Sequence, residues 1–446
     1  MTARVREFNA FLRDYVNLNQ TRIDSLQSRV SSIEDYLFDD SPAADILIDE
    51  LIPQGSFAHR TIIRPYTGND FDADVLLPME EQDDWEPKKY TTELQKALDA
   101  SSRYVQKTRL GKRCVTVEYA NEFHIDVVPY VTRSDGRTYI THRTKNEWLR
   151  CDPVAFTTWI EDLTRTTNGH LVRVIRLIKY LRDRSSIDVP SVVLTALLAE
   201  RVNVFGGNDE YKNVATTLVT LIEALDEYIG PMTERPWVDD RIGQNLADRL
   251  TASGFTNLQS QVKTWAQKMR TALDADASES VEKWRKVFGD TFGTDQVEKS
   301  SLASTAETFE HRMAPGEQLL DRDLGIPIRL DRQHRVRVVG RASARAGDRG
   351  RFRPLSASGN LVRIGRRLSF TIEGCDVPEP YQVYWKVRNA GPEAASRNMF
   401  RGQIVEGSLR ITESSHFAGS HWVEAWIVKN GVAVAHDIQE VTIVAR

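Results

Sequence analysis

Along this chain the spacing of apolar residues changes period twice, and that succession limits the folds open to it more than any other feature. Between residues 43 and 145 short runs alternate apolar with polar residues, as in FDADVLL, RCVTVEY, EFHIDVVPYV and RTYITH. Turn residues separate them, with hairpin turns expected around Asn121 and at Ser134-Asp135-Gly136. From 152 to about 310 the apolar residues recur every three or four positions, most clearly in LVRVIRLIKYLRDR, SVVLTALLAERVNVF, ATTLVTLIEALDEYI and VEKWRKVF. Period two then returns in LSFTIEG, YQVYWKV, GQIVEGSLRIT, HWVEAWIV, VAVAHDI and EVTIVAR, with turns at Asn389-Ala390-Gly391 and Lys429-Asn430-Gly431. Regularly spaced short strands of this kind build a small β-sandwich. Strands and helices that segregate along a chain give an α+β architecture: a mixed sheet, a helical lobe, and a C-terminal sandwich.

Two segments sit outside this succession. Val5, Phe8, Leu12, Tyr15, Ile23, Leu26, Val30, Ile33 and Leu37 follow helical spacing with an interruption near Asn17 to Gln20, which predicts one long amphipathic helix or two. With one break and few heptads, packing on its own domain is preferred to a coiled coil. Between Asp331 and Arg367 arginines are dense, from Arg332 to Arg367, with Gly, Ser and Ala between them and few apolar anchors. Such a composition reads as a solvated linker. The expected division is therefore an N-terminal helix with a mixed-sheet unit over 1–150, a helical lobe over 151–325, an arginine-rich linker over 326–367 and a sandwich over 368–446. A length of 446 residues calls for several such units.

A net charge of −4 exerts no global pull toward nucleic acid or anionic membrane, so an electrostatic partner must be sought in a local patch, and the arginine-rich segment is the candidate for nucleic acid. Cys114, Cys151 and Cys375 lie far apart and none belongs to a paired motif, which argues against structural zinc and a disulfide frame. The N-terminus mixes charged with apolar residues, and no run approaches the ~18 apolar residues of a membrane span, so the expected location is the cytoplasm.

Asp72 and Asp74 stand two apart in FDADVLL, so a strand sends both carboxylates to one face while Phe71, Ala73 and Val75 take the other. Converging carboxylates repel one another unless a cation lies between them, and hard oxygen ligands suit Mg²⁺ or Mn²⁺. A DxD pair is common on exposed edge strands and means little alone. Downstream, FHIDVVPY puts Asp126 opposite the core-facing Ile125 and Val127, where it can complete a trio. Upstream, Gly55-Ser56 follows LIPQ at a strand-to-helix turn, a place where backbone N–H groups and a hydroxyl can hold phosphate oxygens. In the helical lobe Lys179 falls in line with Val172 and Ile175, which would bury it, but it also belongs to the series Arg173, Arg176, Lys179 and Arg182, which would make a solvated basic face. Ser191, just after Pro190, suits an N-cap. No GxxxxGK[ST] loop, strand-following GxGxxG or HExxH is present.

With Gly55-Ser56, Asp72-x-Asp74, Asp126, Lys179 and Ser191 in this order, the first ~320 residues resemble the bacterial cGAS/DncV-like nucleotidyltransferases of CBASS anti-phage defence, within the polymerase-β-like superfamily. The resemblance implies a bilobed fold with two NTPs in the cleft. Gly55 and Ser56 would bind triphosphate, Asp72, Asp74 and Asp126 two magnesium ions, and Lys179 and Ser191 the donor phosphates. It further implies a cyclic or linear oligonucleotide second messenger, a separate effector that receives it, and an infection-derived trigger. The C-terminal strands, in PYQVYWKVRNAGPEAASRNMFRGQI and TESSHFAGSHWVEAWIVKNG, resemble the sensor domain often fused to these enzymes, with Phe417 where such domains often carry tyrosine and with Trp385, Trp422 and Trp426 expected in the sandwich core. Two other functions fit the same residues. One is a nucleotidyltransferase acting on RNA or protein, and the other a nucleic-acid-binding module whose acids are not catalytic.

Overall fold

The computed structural model describes residues 3–66, 71–119, 123–205, 209–294, 316–330, 334–343, 352–390 and 392–444. The expected turn around Asn121, together with Gly391, Arg332, Arg345, Arg349 and Arg351, lies outside them. The chain forms two compact units, Met1–Leu26 with Asp35–Lys299, and Gln27–Glu34 with Ser300–Arg446.

The first unit contains a seven-stranded sheet built from β1 (Ile52–Gln54), β2 (Phe71–Met79), β3 (Thr108–Leu110), β4 (Val115–Tyr119), β5 (Phe123–Thr132), β6 (Thr138–His142) and β7 (Glu147–Arg150). The strand order is β1-β2-β5-β4-β3, with β6 joining β5 and β7 joining β6. β2 and β5 are parallel, and the remaining pairs are antiparallel. Ala73, Val75, Ile125 and Val127 on one face are fully buried. The sheet is backed by α4 (Pro87–Asp99), which buries Tyr90, Leu94, Ala97 and Leu98. No helix was expected here. Its signal is the Tyr90, Leu94, Leu98 spacing, which period-two runs on either side obscure.

The helical lobe comprises α5 (Pro153–Thr166), α6 (His170–Arg184), α7 (Ser191–Ala199), α8 (Val214–Ile229), α9 (Ala252–Asp274) and α10 (Ser280–Phe288). The N-terminal periodicity resolves into two helices. α1 (Val5–Phe11) continues through a wider turn over Leu12–Val16, and α2 (Gln20–Asp39) starts afresh where the Asn19 side chain accepts from Arg22 N at 2.9 Å. α1 packs in the helical lobe's core, with Phe8 edge-on to Trp284 at 4.8 Å and close to Phe288 and Phe292. Boundaries at 150 and 151 therefore do not separate the N-terminal helix from the lobe, because its aromatic face is completed only by α10 and the turn after it.

The second unit holds two sheets. One has five strands in the order β10-β16-β15-β12-β13 and the other four, β14-β11-β8-β9. Their ranges are β8 (Val336–Ser343), β9 (Phe352–Pro354), β10 (Leu361–Arg363), β11 (Arg367–Cys375), β12 (Gln382–Asn389), β13 (Arg401–Gly407), β14 (Arg410–Ser414), β15 (Gly419–Lys429) and β16 (Val432–Val444). Val338, Phe370, Trp385, Val423, Ala425 and Ile427 share one core between the sheets, which makes the expected sandwich. The expected VAVAHDI and EVTIVAR strands are one continuous strand, β16, entered through Asn430 and Gly431, both at positive φ.

Two expectations are corrected in this unit. The segment 326–367 is no linker among its described residues. β8 pairs with β11, Val338 is fully buried, and Arg341 forms an ion pair with Glu373. The alternating valines outweigh the arginines, whose side chains point from the other face of the strand. Nor do all three tryptophans fill the core. Trp385 does, but Trp426 pairs across with Tyr384 and so shares the opposite face with Trp422. There Trp426 packs with Leu320 and Ile404, beside a buried Lys386–Glu317 ion pair of 3.0 Å.

Candidate active site

Strand alternation and register together assemble the acidic face. Asp72 and Asp74 leave β2 on one side, and the parallel pairing sets Asp72 opposite His124 and Asp74 opposite Asp126 on β5. Residues directly opposite in neighbouring strands point the same way, so all three aspartates share the solvent-facing side while Phe71, Ala73, Phe123 and Ile125 are buried on the other. Thr116 on β4, paired with Asp126, donates to Asp126 Oδ1 at 2.6 Å and fixes that carboxylate's orientation.

The crowding has an electrostatic signature. The Asp74 carboxyl is pushed up to about 7 by burial and by the Asp72 and Asp126 charges, against a downward pull from Arg249 and Lys179. Such a carboxyl needs a cation to stay ionised. Among the described residues no three His, Cys, Asp or Glu side chains are drawn together tightly enough to form a closed ligand set. The donor chemistry nonetheless fits a hard divalent ion, since the three aspartates on this face all offer carboxylate oxygens. The neighbouring Cys114 thiol is pushed up to about 12, first by burial and then by Asp126, so it is no nucleophile.

Gly55-Ser56 stands at the expected strand-to-helix turn, where β1 runs into α3 (Gly55–Ala58). Gln54 pairs with Asp74, so the turn lies directly beside the acids. Gly55 has φ +55°, and a Cβ on it would meet Asp74 Oδ2 at 2.8 Å. Only glycine brings the backbone this close to the carboxylate.

Both open readings of the helical lobe are settled by tertiary contacts. Lys179 is buried, and its Nζ donates to Thr61 O at 2.9 Å. Its pKa falls to about 8 through burial and Arg182, with Asp72 opposing. One turn earlier Arg176 Nε donates to Arg60 O at 2.7 Å, and Arg173 reaches Asn9 Oδ1 at 3.3 Å. Lys179 is thus buried, as its place in line with Val172 and Ile175 predicts, while Arg173 donates to α1 and Arg176 and Lys179 to the chain leaving the Gly55-Ser56 turn. Ser191 is the first residue of α7, and no side chain caps that helix. Its Oγ instead accepts from Arg182 Nη1 at 2.7 Å. The plain N-cap reading is thus replaced, because Pro190 occupies the cap position.

Two cations near the site, Arg249 and Arg113, have no counterpart among the residues singled out from the sequence, and a third, Arg182, is singled out there only as a member of the basic series. Arg249 ends a short helical turn (Leu246–Arg249) packed on α7, and acts on both Asp74 and Arg113. Arg113 sits in the β3–β4 turn, its pKa lowered by burial and by Arg249. Arg182 lies one turn beyond Lys179. Nothing local marks the first two, while Arg182 was visible as the last member of the three-residue series.

Behind the turn, His59 is buried, its Nε2 3.2 Å from Thr157 Oγ1, and its pKa falls to about 3 through burial and the Lys179 charge. A histidine held neutral in the folded state contributes stability that is complete above the unfolded value near 6.5 and is lost as pH falls toward 3. Denaturation at stepped pH should show the parent losing about 1 kcal/mol more per pH unit below 6 than His59→Gln. Parallel curves for the two proteins would contradict the burial argument.

Comparison with known proteins finds relatives for both parts of the chain. Residues 1–163 match the family model of the second messenger oligonucleotide or dinucleotide synthetase domain, and residues 318–444 that of the adenylyl/guanylyl and SMODS C-terminal sensor domain. The two matches together support a CD-NTase of the cGAS/DncV type. It is 27% identical over 221 residues to a c-di-GMP synthase of Roseivirga ehrenbergii, covering 43% of this chain and 59% of that one. A cyclic AMP-AMP-GMP synthase of Enterobacter hormaechei is 27% identical over 159 residues, 34% of this chain and 41% of its own. The chain thus spans about half the length of these two relatives. Among solved CD-NTases, Vibrio cholerae DncV with a linear intermediate superposes with a TM-score of 0.52 at 18% identity, covering 66% of this chain and 98% of that one. Escherichia coli CdnC with ATP gives 0.51 at 19%, covering 65% and 99%. These likenesses establish the polymerase-β-like fold with its helical lobe.

Proposed function

We propose that this CD-NTase joins nucleoside triphosphates into a cyclic or linear oligonucleotide second messenger, with pyrophosphate released at each bond, in anti-phage defence. The observation that carries the reading is the Asp74–Asp126 register, with three carboxylates on one open face and Gly55 so near that a Cβ on it would lie 2.8 Å from Asp74 Oδ2. The named relatives make cyclic nucleotides, which favours the same chemistry here.

Asp72, Asp74 and Asp126 would hold two Mg²⁺ ions, with Mn²⁺ as the alternative, and the bound ions would activate the acceptor hydroxyl and neutralise the triphosphate and leaving pyrophosphate. Gly55 and Ser56 present backbone N–H groups and a hydroxyl to the triphosphate. Lys179, already bonded to Thr61 O, keeps further ammonium protons for the donor phosphates. In the bond-forming step the 3′ or 2′ hydroxyl oxygen attacks the α-phosphorus, a P–O bond forms, and the bond to the pyrophosphate oxygen breaks. The hydroxyl proton passes to a carboxylate, and the Thr116 hydrogen bond that orients Asp126 supports Asp126 in that role. The C-terminal sandwich is the sensor of an infection-derived trigger, and a separate effector receives the product. No helix among the described residues is long and apolar enough to cross a membrane.

The test is to incubate the full chain with all four NTPs and Mg²⁺, to measure pyrophosphate and identify products by mass spectrometry, and to titrate Mg²⁺ with ATP and with GTP by calorimetry. A nuclease-resistant nucleotide product is expected. NTP consumption that appears only when RNA or a protein acceptor is added would favour the macromolecule-modifying alternative. Failure to bind either nucleotide would remove the reading altogether.

A further inference from the structure

A serine hydroxyl has one proton to give and lone pairs to accept with, and what it does for a ligand depends on which of these the protein uses. At the start of α7 the protein uses the lone pairs. Arg182 Nη1 donates to Ser191 Oγ at 2.7 Å and to Val189 O at 3.2 Å. Arginine has no acceptor, so the Ser191 proton cannot return the bond and must point elsewhere. It is not spent on capping either, since the residue stands one place inside its helix, after Pro190. A hydroxyl that accepts from a guanidinium is also a stronger donor, through polarisation along the chain of hydrogen bonds.

The guanidinium itself is held. Its Nε and Nη2 meet Asp183 Oδ1 at 2.7 and 2.6 Å, and its side chain is largely buried. α6 therefore carries Lys179 toward the acids and, one turn later, an arginine that reaches Ser191. α7 in turn packs on α3, the helix that Gly55-Ser56 opens.

We infer that Arg182 is a positioning residue. It fixes the Ser191 hydroxyl as a one-way donor aimed at a phosphate oxygen of the bound nucleoside triphosphate, without touching the nucleotide itself. The inference rests on the proposed assignment of Ser191 to phosphate binding and adds the group that makes that hydroxyl directional.

The test is a double-mutant cycle on the full chain, with Mg²⁺-ATP and Mg²⁺-GTP titrated by calorimetry against the parent, Ser191→Ala, Arg182→Gln and the double variant. Melting temperatures are measured alongside. Ser191→Ala should weaken the nucleotide bound by the parent about tenfold, as for a lost hydrogen bond to a charged group. Arg182→Gln should weaken it by a similar factor in the parent background and by less than about twofold in the Ser191→Ala background. Arg182→Lys, which keeps one donor for Oγ, should recover part of the loss. A merely structural arginine would lower the melting temperature and weaken binding equally in both backgrounds, giving a loss in the double variant that is the product of the two singles. That result overturns the inference and leaves Ser191 as a phosphate ligand. Undiminished binding by Ser191→Ala overturns the assignment beneath it, while the Asp72 and Asp74 variants still report on the catalytic proposal.

Discussion

Replacing Asp72 and Asp74 together by Asn is expected to lower product formation by about a thousandfold or more while making the unliganded protein more stable. On the proposed metal site, the loss follows from removing two anionic ligands, since an amide oxygen is a poor substitute for a carboxylate toward a hard divalent ion. The gain follows from the same crowding. In the folded protein Asp74 is pushed up to about 7 from 3.8, with burial as the first cause and its two neighbours next. A carboxyl raised in this way weakens the fold progressively as pH rises from about 4 to 7, and the full cost is present above that. Asn carries no charge and escapes it. At pH 7.5 without added metal, the double variant should melt higher than the parent, by roughly 2–4 °C for each kcal/mol relieved. Added Mg²⁺ should raise the parent's melting temperature and leave the variant's unchanged. Equal Mg²⁺ response in both proteins would place the ion elsewhere.

Gly55→Ala is expected to cut kcat/KM by about a hundredfold through geometry alone. Two constraints coincide at this residue. Its φ of +55° is one that a side chain adopts only with strain, and the added methyl would lie 2.8 Å from Asp74 Oδ2. Relief requires either the turn or the carboxylate to move, and a displacement near 1 Å in a catalytic constellation is worth about two orders of magnitude. Both sides of the site are disturbed, so nucleotide affinity and the rate of the chemical step should fall together. Ser56→Ala serves as the comparison, since it removes a hydroxyl without moving backbone and should act mainly on affinity. A fully active Gly55→Ala protein would mean that the turn is not packed on the acids in the working enzyme.

How far the site could be read in advance depended on the range of the interactions involved. Asp72, Asp74 and Asp126 are correctly faced by strand alternation alone, and the Gly55-Ser56 turn by its flanking apolar and helical signals, because those rules are local. What brings Asp126 to Asp74 is a parallel pairing between strands separated by α4, which no neighbouring residue specifies. Lys179 left two readings open, since a helical stripe tells which face a side chain occupies and not what lies against it. The answer was a backbone carbonyl, Thr61 O. The arginine-rich segment misled for the converse reason. Its charges dominate the composition, but Val338 on alternate positions of β8 is what the sandwich buries.

By itself, then, the sequence determined the class of fold, the faces of the acidic strands and the location of the Gly55-Ser56 turn, all consequences of dihedral preference and apolar period within a few residues. Only the tertiary structure decided the register that unites three aspartates, the lack of room for a side chain between Gly55 and Asp74, and the donors that α6 extends to Arg60, Thr61 and Ser191. These are set by which distant surfaces exclude water together, and that choice is made by the packed core as a whole.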